Sequence, residues 1–182
     1  MKSVPKDRYL VFLAIVVAGC ALDLWTKDWI FARLGYPCTE PEWIIPGIFG
    51  LETSLNYGAL FGIGQGQAWF FATLSIAAGL AIPYILFVTG AARDAVLNAA
   101  LASVMAGIFG NLYDRLGLWS QAGVDAPTAG AVRDWILFEY HGWVWPNFNI
   151  ADSLLVCGAV ALFWQALRTP ASKPAGVATP AR

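Results

Sequence analysis

This chain is short of charge. Only 13% of its 182 residues are Asp, Glu, Lys or Arg, against 58% hydrophobic. So few polar side chains cannot cover a water-soluble domain of this length, which leaves an integral membrane protein. Histidine is nearly absent: His141 stands alone in a Trp-rich stretch, where it reads as an interfacial packing residue, and no His/Cys spacing suits a metal. The cysteines, Cys20, Cys38 and Cys157, are odd in number and two of them lie in apolar runs, which argues against a disulfide framework. A net charge of -1 says little about partners.

What the chain has is long apolar runs. Four of them, about residues 9–30, 69–88, 95–112 and 152–167, meet or approach the roughly 20 residues needed to cross a bilayer. They predict an all-α membrane bundle of four transmembrane helices in a single membrane domain, residues 1–168, with outer loops 34–68 and 117–150. The tail, 169–182, has no periodicity and is expected to be disordered. Seven of the eleven basic residues fall on the side of the two termini, placing both in the cytoplasm. Lys2, Lys6 and Arg8 precede an apolar run reaching Val-Ala-Gly-Cys20, the look of a lipoprotein signal sequence. The run continues to Ile30, as expected of an ordinary first membrane helix.

Charges inside these runs need a reason, since one at mid-bilayer costs about 2.5–3.5 kcal/mol on insertion scales. Asp23 and Lys27 are four apart and share a helix face. Asp23 lies deeper and is expected to turn inward; Lys27 reads equally well as a snorkelling residue beside Trp25 and Trp29. In the third run, Gly107, Asn111 and Asp114 form one stripe at 100° per residue, with Arg115 one turn after Asn111. Small residues there admit a close helix neighbour, and the polar ones can satisfy a partner across the contact. Asp114 and Arg115 are expected to act mainly in packing. Pro83 is placed to kink the second run.

In the first outer loop, 48–55 suggests short strands. The following Asn56-Tyr-Gly58-Ala-Leu-Phe-Gly62 reads either as a turn or as backbone approaching another group closely. Asp125 sits in a Gly/Ala/Pro-rich loop and reads as a solvated turn residue. Asp134 lies in an apolar segment, Val132-Arg-Asp-Trp-Ile-Leu-Phe. Asp152 follows Asn149 by three, so the pair could be no more than a helix cap. A cap does not explain why Asp134, Asn111 and Asp114 should converge at the same membrane face. Two carboxylates sharing a site cannot both ionise easily, so one holds a proton while the other accepts one. Such a pair can deprotonate a water attacking a peptide carbonyl and protonate the leaving amine. The aromatic stretch after Asp134 is expected to be a tether, with Trp135, Trp143 and Trp145 at headgroup depth.

Five ordered segments now resemble the lipoprotein signal peptidases, signal peptidase II: Asp23-Leu-Trp-Thr-Lys27, Asn56-Tyr-Gly58-Ala-Leu-Phe-Gly62, Gly107-Ile-Phe-Gly110-Asn111-Leu-Tyr-Asp114-Arg115, Val132-Arg-Asp134-Trp-Ile and Phe148-Asn149-Ile-Ala-Asp152-Ser153. The resemblance implies an intramembrane aspartic protease of the bacterial inner membrane, cutting just before the diacylglyceryl cysteine of a prolipoprotein. It implies Asp134 and Asp152 as the catalytic dyad, Asn56, Gly58, Asn111, Arg115 and Asn149 around them, and Asp23 and Lys27 in support. It further implies an extracytoplasmic β-cradle from the first loop, a short surface helix near 62–67, membrane lipid as a partner, and inhibition by globomycin-type peptides. No cofactor, metal or nucleic acid is implied. The segment from Arg115 to Asp134 is longer than the family's usual one, but the spacing from Asp134 to Phe148-Asn149 fits and that from Asp125 does not. A proton-coupled small membrane transporter is the rival reading, because it too places Asp and Asn inside a helical bundle.

Overall fold

The computed structural model describes residues 3–58, 64, 66–120 and 130–168. Asp125, most of the proposed surface helix and the tail 169–182 lie outside the described residues. Four helices are long and apolar enough to cross a membrane. They are α1 (Lys6–Leu34), α2 (Ala68–Pro83, continued by a π-helical turn Tyr84–Val88), α3 (Ala95–Arg115) and α4 (Ile150–Arg168). Helix α1 runs unbroken through Cys20. The π turn directly follows Pro83, whose missing N–H disturbs the helical ladder.

Helix α3 is the centre of the bundle, packing against α1, α2 and α4. Its small residues allow this. A Cβ at Gly107 would run into the Ala151 carbonyl oxygen, and one on Gly158 of α4 would lie 2.8 Å from the Ala100 carbonyl oxygen. Around Val16, Ile82, Leu86, Ala102 and Met105 the helices share an apolar core, while Leu74, Leu80, Val160 and Phe163 point outward, as side chains do when the solvent is hydrocarbon.

The loops that join α1 to α2 and α3 to α4 form a four-stranded antiparallel sheet in the order β1 (Glu42–Ile45), β2 (Phe49–Asn56), β3 (Val132–Tyr140) and β4 (Trp143–Phe148). This corrects two expectations. The sheet takes two strands from each loop rather than arising from the first alone, and the stretch after Asp134 is a hairpin rather than a tether. The hairpin turns on His141 and Gly142, both with positive φ, 50° and 80°, the conformation a two-residue type I′ connection requires. Histidine tolerates that region better than most residues, but His-Gly is a weaker turn signal than Asn-Gly. Trp135 is buried against Ile30, Phe31 and Leu51. Trp143 and Trp145 are exposed on the edge strand, where Pro146 is tolerated.

Candidate active site

Strand β3 carries Asp134 into the interior at 2% exposure, and the first turn of α4 carries Asp152 to the same place at 7%. Asn149 joins them. Its side-chain oxygen accepts the Asp152 N–H at 2.9 Å while its own N–H donates to Asp152 Oδ2 at 3.4 Å, a reciprocal helix cap. The cap reading of this pair therefore holds as well. The same residue's amide Nδ2 donates to Asp134 Oδ1 at 2.7 Å, so it caps the helix and binds the second carboxylate at once.

Two further asparagines complete the shell. Asn56, at the end of β2, donates to Asp134 Oδ2 at 3.1 Å, and Asn111 of α3 donates to Asp152 Oδ1 at 2.8 Å. Each oxygen of both carboxylates thus already accepts one donor, so a shared proton has its natural acceptor in the partner carboxylate or in a water between them. The Asn111 amide cannot turn over, because its Oδ1 accepts from Lys27 Nζ at 3.0 Å and from Asn149 Nδ2 at 3.1 Å, and neither nitrogen can accept in return.

Behind Asn111 lies a buried ionic cluster. Lys27 is fully buried, 2.7 Å from Asp23 Oδ2 and 3.2 Å from Asp114 Oδ2. It is an interior residue and not a snorkelling one. Asp23 also accepts the Ala151 N–H at 2.8 Å, satisfying a free donor at the start of α4. Gly58 is held twice: its N–H donates to Asn56 Oδ1 at 2.9 Å, and its carbonyl accepts from Arg115 at 3.0 Å. Both readings of that segment, a turn and a close backbone approach, are met in one residue. Gly107 reaches neither carboxylate and serves the α3–α4 contact.

Sequence reasoning missed Arg133 and Asp28. Arg133 is 2% exposed, and its fork grips Asp114 Oδ1 through Nε at 3.1 Å and Nη2 at 2.8 Å, with Nη1 on Asp28 at 2.5 Å. The available signal was an arginine inside an apolar strand, which demands a buried acid.

Among the buried groups around the site, with the exposed Asp28 set aside, the charges nearly cancel. Asp23, Asp114, Asp134 and Asp152 face Lys27, Arg133 and the half-buried Arg115, which is within electrostatic reach of both site carboxylates. Four acids against three bases balance when one acid holds a proton. The position outside the helices is consistent with this: burial, then the neighbouring Asp152 charge, push the Asp134 carboxyl up to about 8, although Lys27, Asn56 and Asn149 pull it down. Among the described residues no His, Cys, Asp and Glu side chains are grouped as a metal would need.

A cavity of about 530 Å³ opens from Asp152 along Ser153, Val156 and Cys157 of α4, walled on the sheet side by Phe138, Trp143, Trp145 and Phe148. Its wall offers little for a peptide backbone to bond, since the Ser153 hydroxyl already donates to the Asn149 carbonyl at 3.1 Å.

Gly110 is as tightly packed as Gly107. A Cβ there would meet the Asp23 carboxylate and lie 3.1 Å from Ala151 Cβ. Gly110→Ala is therefore expected to push α4 off α3 and break the Asp23–Ala151 bond, costing about 1–3 kcal/mol, read as a lower melting temperature of the detergent-purified protein. An unchanged melting temperature would mean the two helices are not closely packed there.

Comparison with known proteins agrees with this geometry. The family model described as signal peptidase (SPase) II matches residues 15–168. The lipoprotein signal peptidase of Rhodopirellula baltica is 50% identical over 88% of this chain and 73% of its own. That of Serratia proteamaculans is 34% identical over 91% and 92%. A solved bacterial membrane enzyme, obtained by the in meso method at 2.3 Å resolution, superposes with a TM-score of 0.71 at 26% identity over 97% of each chain. The transporter reading finds no support in these relatives. The chain belongs to the signal peptidase II family, bacterial membrane proteases that remove the signal peptide from prolipoproteins.

Proposed function

We propose that this protease is of the aspartic type and that Asp134 and Asp152 are its catalytic dyad, cleaving just before the diacylglyceryl cysteine of the substrate. The observation that carries the reading is the pair of buried carboxylates tied together through Asn149 and Asn111 at the end of an apolar cavity. A water between them loses a proton to the ionised carboxylate as its oxygen attacks the scissile carbonyl. The protonated carboxyl supplies the proton that the carbonyl oxygen or the leaving amine needs. No bond forms between enzyme and substrate. The two carboxylates titrate as a pair, and the proton belongs to the pair.

Asn56, Asn111 and Asn149 hold the dyad in register, with Arg115 and Gly58 closing one side and Asp23, Lys27 and Asp114 forming the support behind. The apolar cavity suits the hydrocarbon of a lipidated cysteine, and membrane lipid suits the same surface when substrate is absent. The excess of Lys and Arg on the side of the termini supports cytoplasmic termini and a site near the outer face of the inner membrane.

The test is cleavage of a lipidated model prolipoprotein by the purified protein, with and without globomycin. Processing of the lipidated substrate, blocked by globomycin, is expected; equal cleavage of an unlipidated substrate would overturn the specificity claimed here. The pH dependence carries a second expectation. With burial and the neighbouring carboxylate holding a proton at the pair up to about 8, the pair keeps one proton at neutral pH and loses it above that value, so kcat/KM should fall on the alkaline side of about 8. A rate flat to pH 10 would exclude a singly protonated pair with this affinity.

A further inference from the structure

Arg133 immediately precedes Asp134 on β3, and strand alternation sends the two side chains to opposite faces. Asp134 meets the asparagines, while Arg133 enters the gap between α1 and α3. There it is tied at several points. Its backbone N–H donates to Asp114 Oδ2 at 3.0 Å, and its fork takes Asp114 Oδ1 and Asp28 Oδ1. The guanidinium lies 4.8 Å from the Trp119 ring centre and 6.0 Å from that of Phe31. Its carbonyl accepts from Asn149 Nδ2 at 3.3 Å, the same amide that donates to Asp134.

Asp114 is thereby shared. Its carboxylate takes Arg133 on both oxygens and Lys27 on Oδ2, and Lys27 in turn orients the Asn111 amide that donates to Asp152. One unbroken set of contacts links Arg133 to both carboxylates: directly through the chain to Asp134, and through Asp114, Lys27 and Asn111 to Asp152. Arg133 is also one of the three cations facing the four buried acids.

Resting on the aspartic reading above, we infer that Arg133 is a positioning residue for the reaction, which aims Asp134 at Asp152 and supplies the cation that leaves the dyad a single proton. The groups that set this balance come from every neighbouring element: Asp23, Lys27 and Asp28 on α1, Asp114, Arg115 and Tyr113 on α3, Asp134 itself, and Asp152 on α4. Asp28 is 69% exposed on its side chain and is screened by solvent, so the buried partner, Asp114, carries the coupling.

The experiment compares Arg133→Met and Arg133→Lys in kcat, KM and the pH profile of kcat/KM on one lipidated substrate. Lysine keeps the charge but loses the fork. Arg133→Lys is expected to lower kcat about tenfold with KM within about twofold, at an unmoved pH profile. Arg133→Met is expected to lower kcat further and to move the whole profile to higher pH by about half a unit or more, because fewer cations oppose the acids. Adding Asp114→Asn to Arg133→Met removes the matching charge and should return the profile toward that of the parent, whatever the remaining rate. Either an unmoved profile in Arg133→Met, or a profile moved equally by Arg133→Lys, overturns the inference and leaves Arg133 a strut. If Arg133→Met does not accumulate, Arg133→Lys decides alone: a parental rate, or a shifted profile, overturns it. Asp134→Asn is the control for the underlying reading; activity in that variant removes the dyad itself, independently of what Arg133 does.

Discussion

Asp134→Asn and Asp152→Asn are each expected to reduce prolipoprotein cleavage by about a thousandfold or more, while the protein still accumulates in the membrane. The side chains are isosteric, so packing is kept. What changes is hydrogen bonding and charge. An amide at 134 places an NH2 against Asn56 or Asn149, both of which donate to the native carboxylate, and a donor facing a donor costs about 1–3 kcal/mol. Against that, the pair already carries a single negative charge at neutral pH because it holds one proton, so replacing one carboxyl by a neutral amide leaves the buried charge the same. The net effect on stability is small, and the effect on rate is large because an amide can neither take the proton of the attacking water nor return it. Stability itself then becomes a second measurement. A carboxyl that releases its proton near 3.9 when unfolded and near 8 when folded makes the folded state the better proton binder between those values. Stability due to this group is fully present below the unfolded value and is lost as pH rises through the folded one. Asp134→Asn should therefore flatten a fall in melting temperature between about pH 4 and 8. Appreciable cleavage by either variant would end the dyad assignment.

Lys27→Met is expected to have the largest effect on stability. An exposed i,i+4 pair is worth about 0–1 kcal/mol, and a snorkelling lysine could be replaced with little consequence. Lys27 is instead fully buried between Asp23 and Asp114. Removing it leaves two buried carboxylates without their shared cation, a loss on the order of 3–5 kcal/mol, which for a chain of this length lowers Tm by about 10 °C or more. Activity should fall too, since the Asn111 amide that donates to Asp152 loses one of the two donors that hold its oxygen. Pairing the change with Asp23→Asn removes one of the stranded charges and should recover a measurable part of the stability. A Tm for Lys27→Met within about 2 °C of the parent would return the residue to the membrane surface.

These residues also mark where sequence reading succeeds. The stripe Gly107, Asn111 and Asp114 was visible because helical periodicity alone brings positions three and four apart onto one face. Asp23 and Lys27 were visible as a pair for the same reason, but which way Lys27 turned depended on Asn111 and Asp114, residues 84 and 87 positions later. Arg133 escaped because its partners, Asp28 and Asp114, are 105 and 19 residues away, and nothing local announces such a contact. The hairpin of β3 and β4 escaped because its turn is His141-Gly142, and the tryptophans around it looked like interfacial anchors. Trp135 is buried for a reason no local pattern contains: its strand pairs with β2, a segment from the other loop.

By itself the sequence determined the four membrane helices, since about 20 apolar residues in a row have no other stable solution in lipid. It also determined, through five ordered motifs, the family and the residues that belong together. Tertiary structure alone decided how they meet. The sheet order β1-β2-β3-β4 brings two distant loops into register and delivers Asp134 to Asn56. The cap of α4 turns Asn149 toward both carboxylates, and the close approach at Gly107 and Gly110 sets α4 against α3 and Asp23. The physical reason is that buried charge is tolerable only where partners from separate segments arrive together, and that arrival is a property of the packed molecule rather than of any stretch of chain.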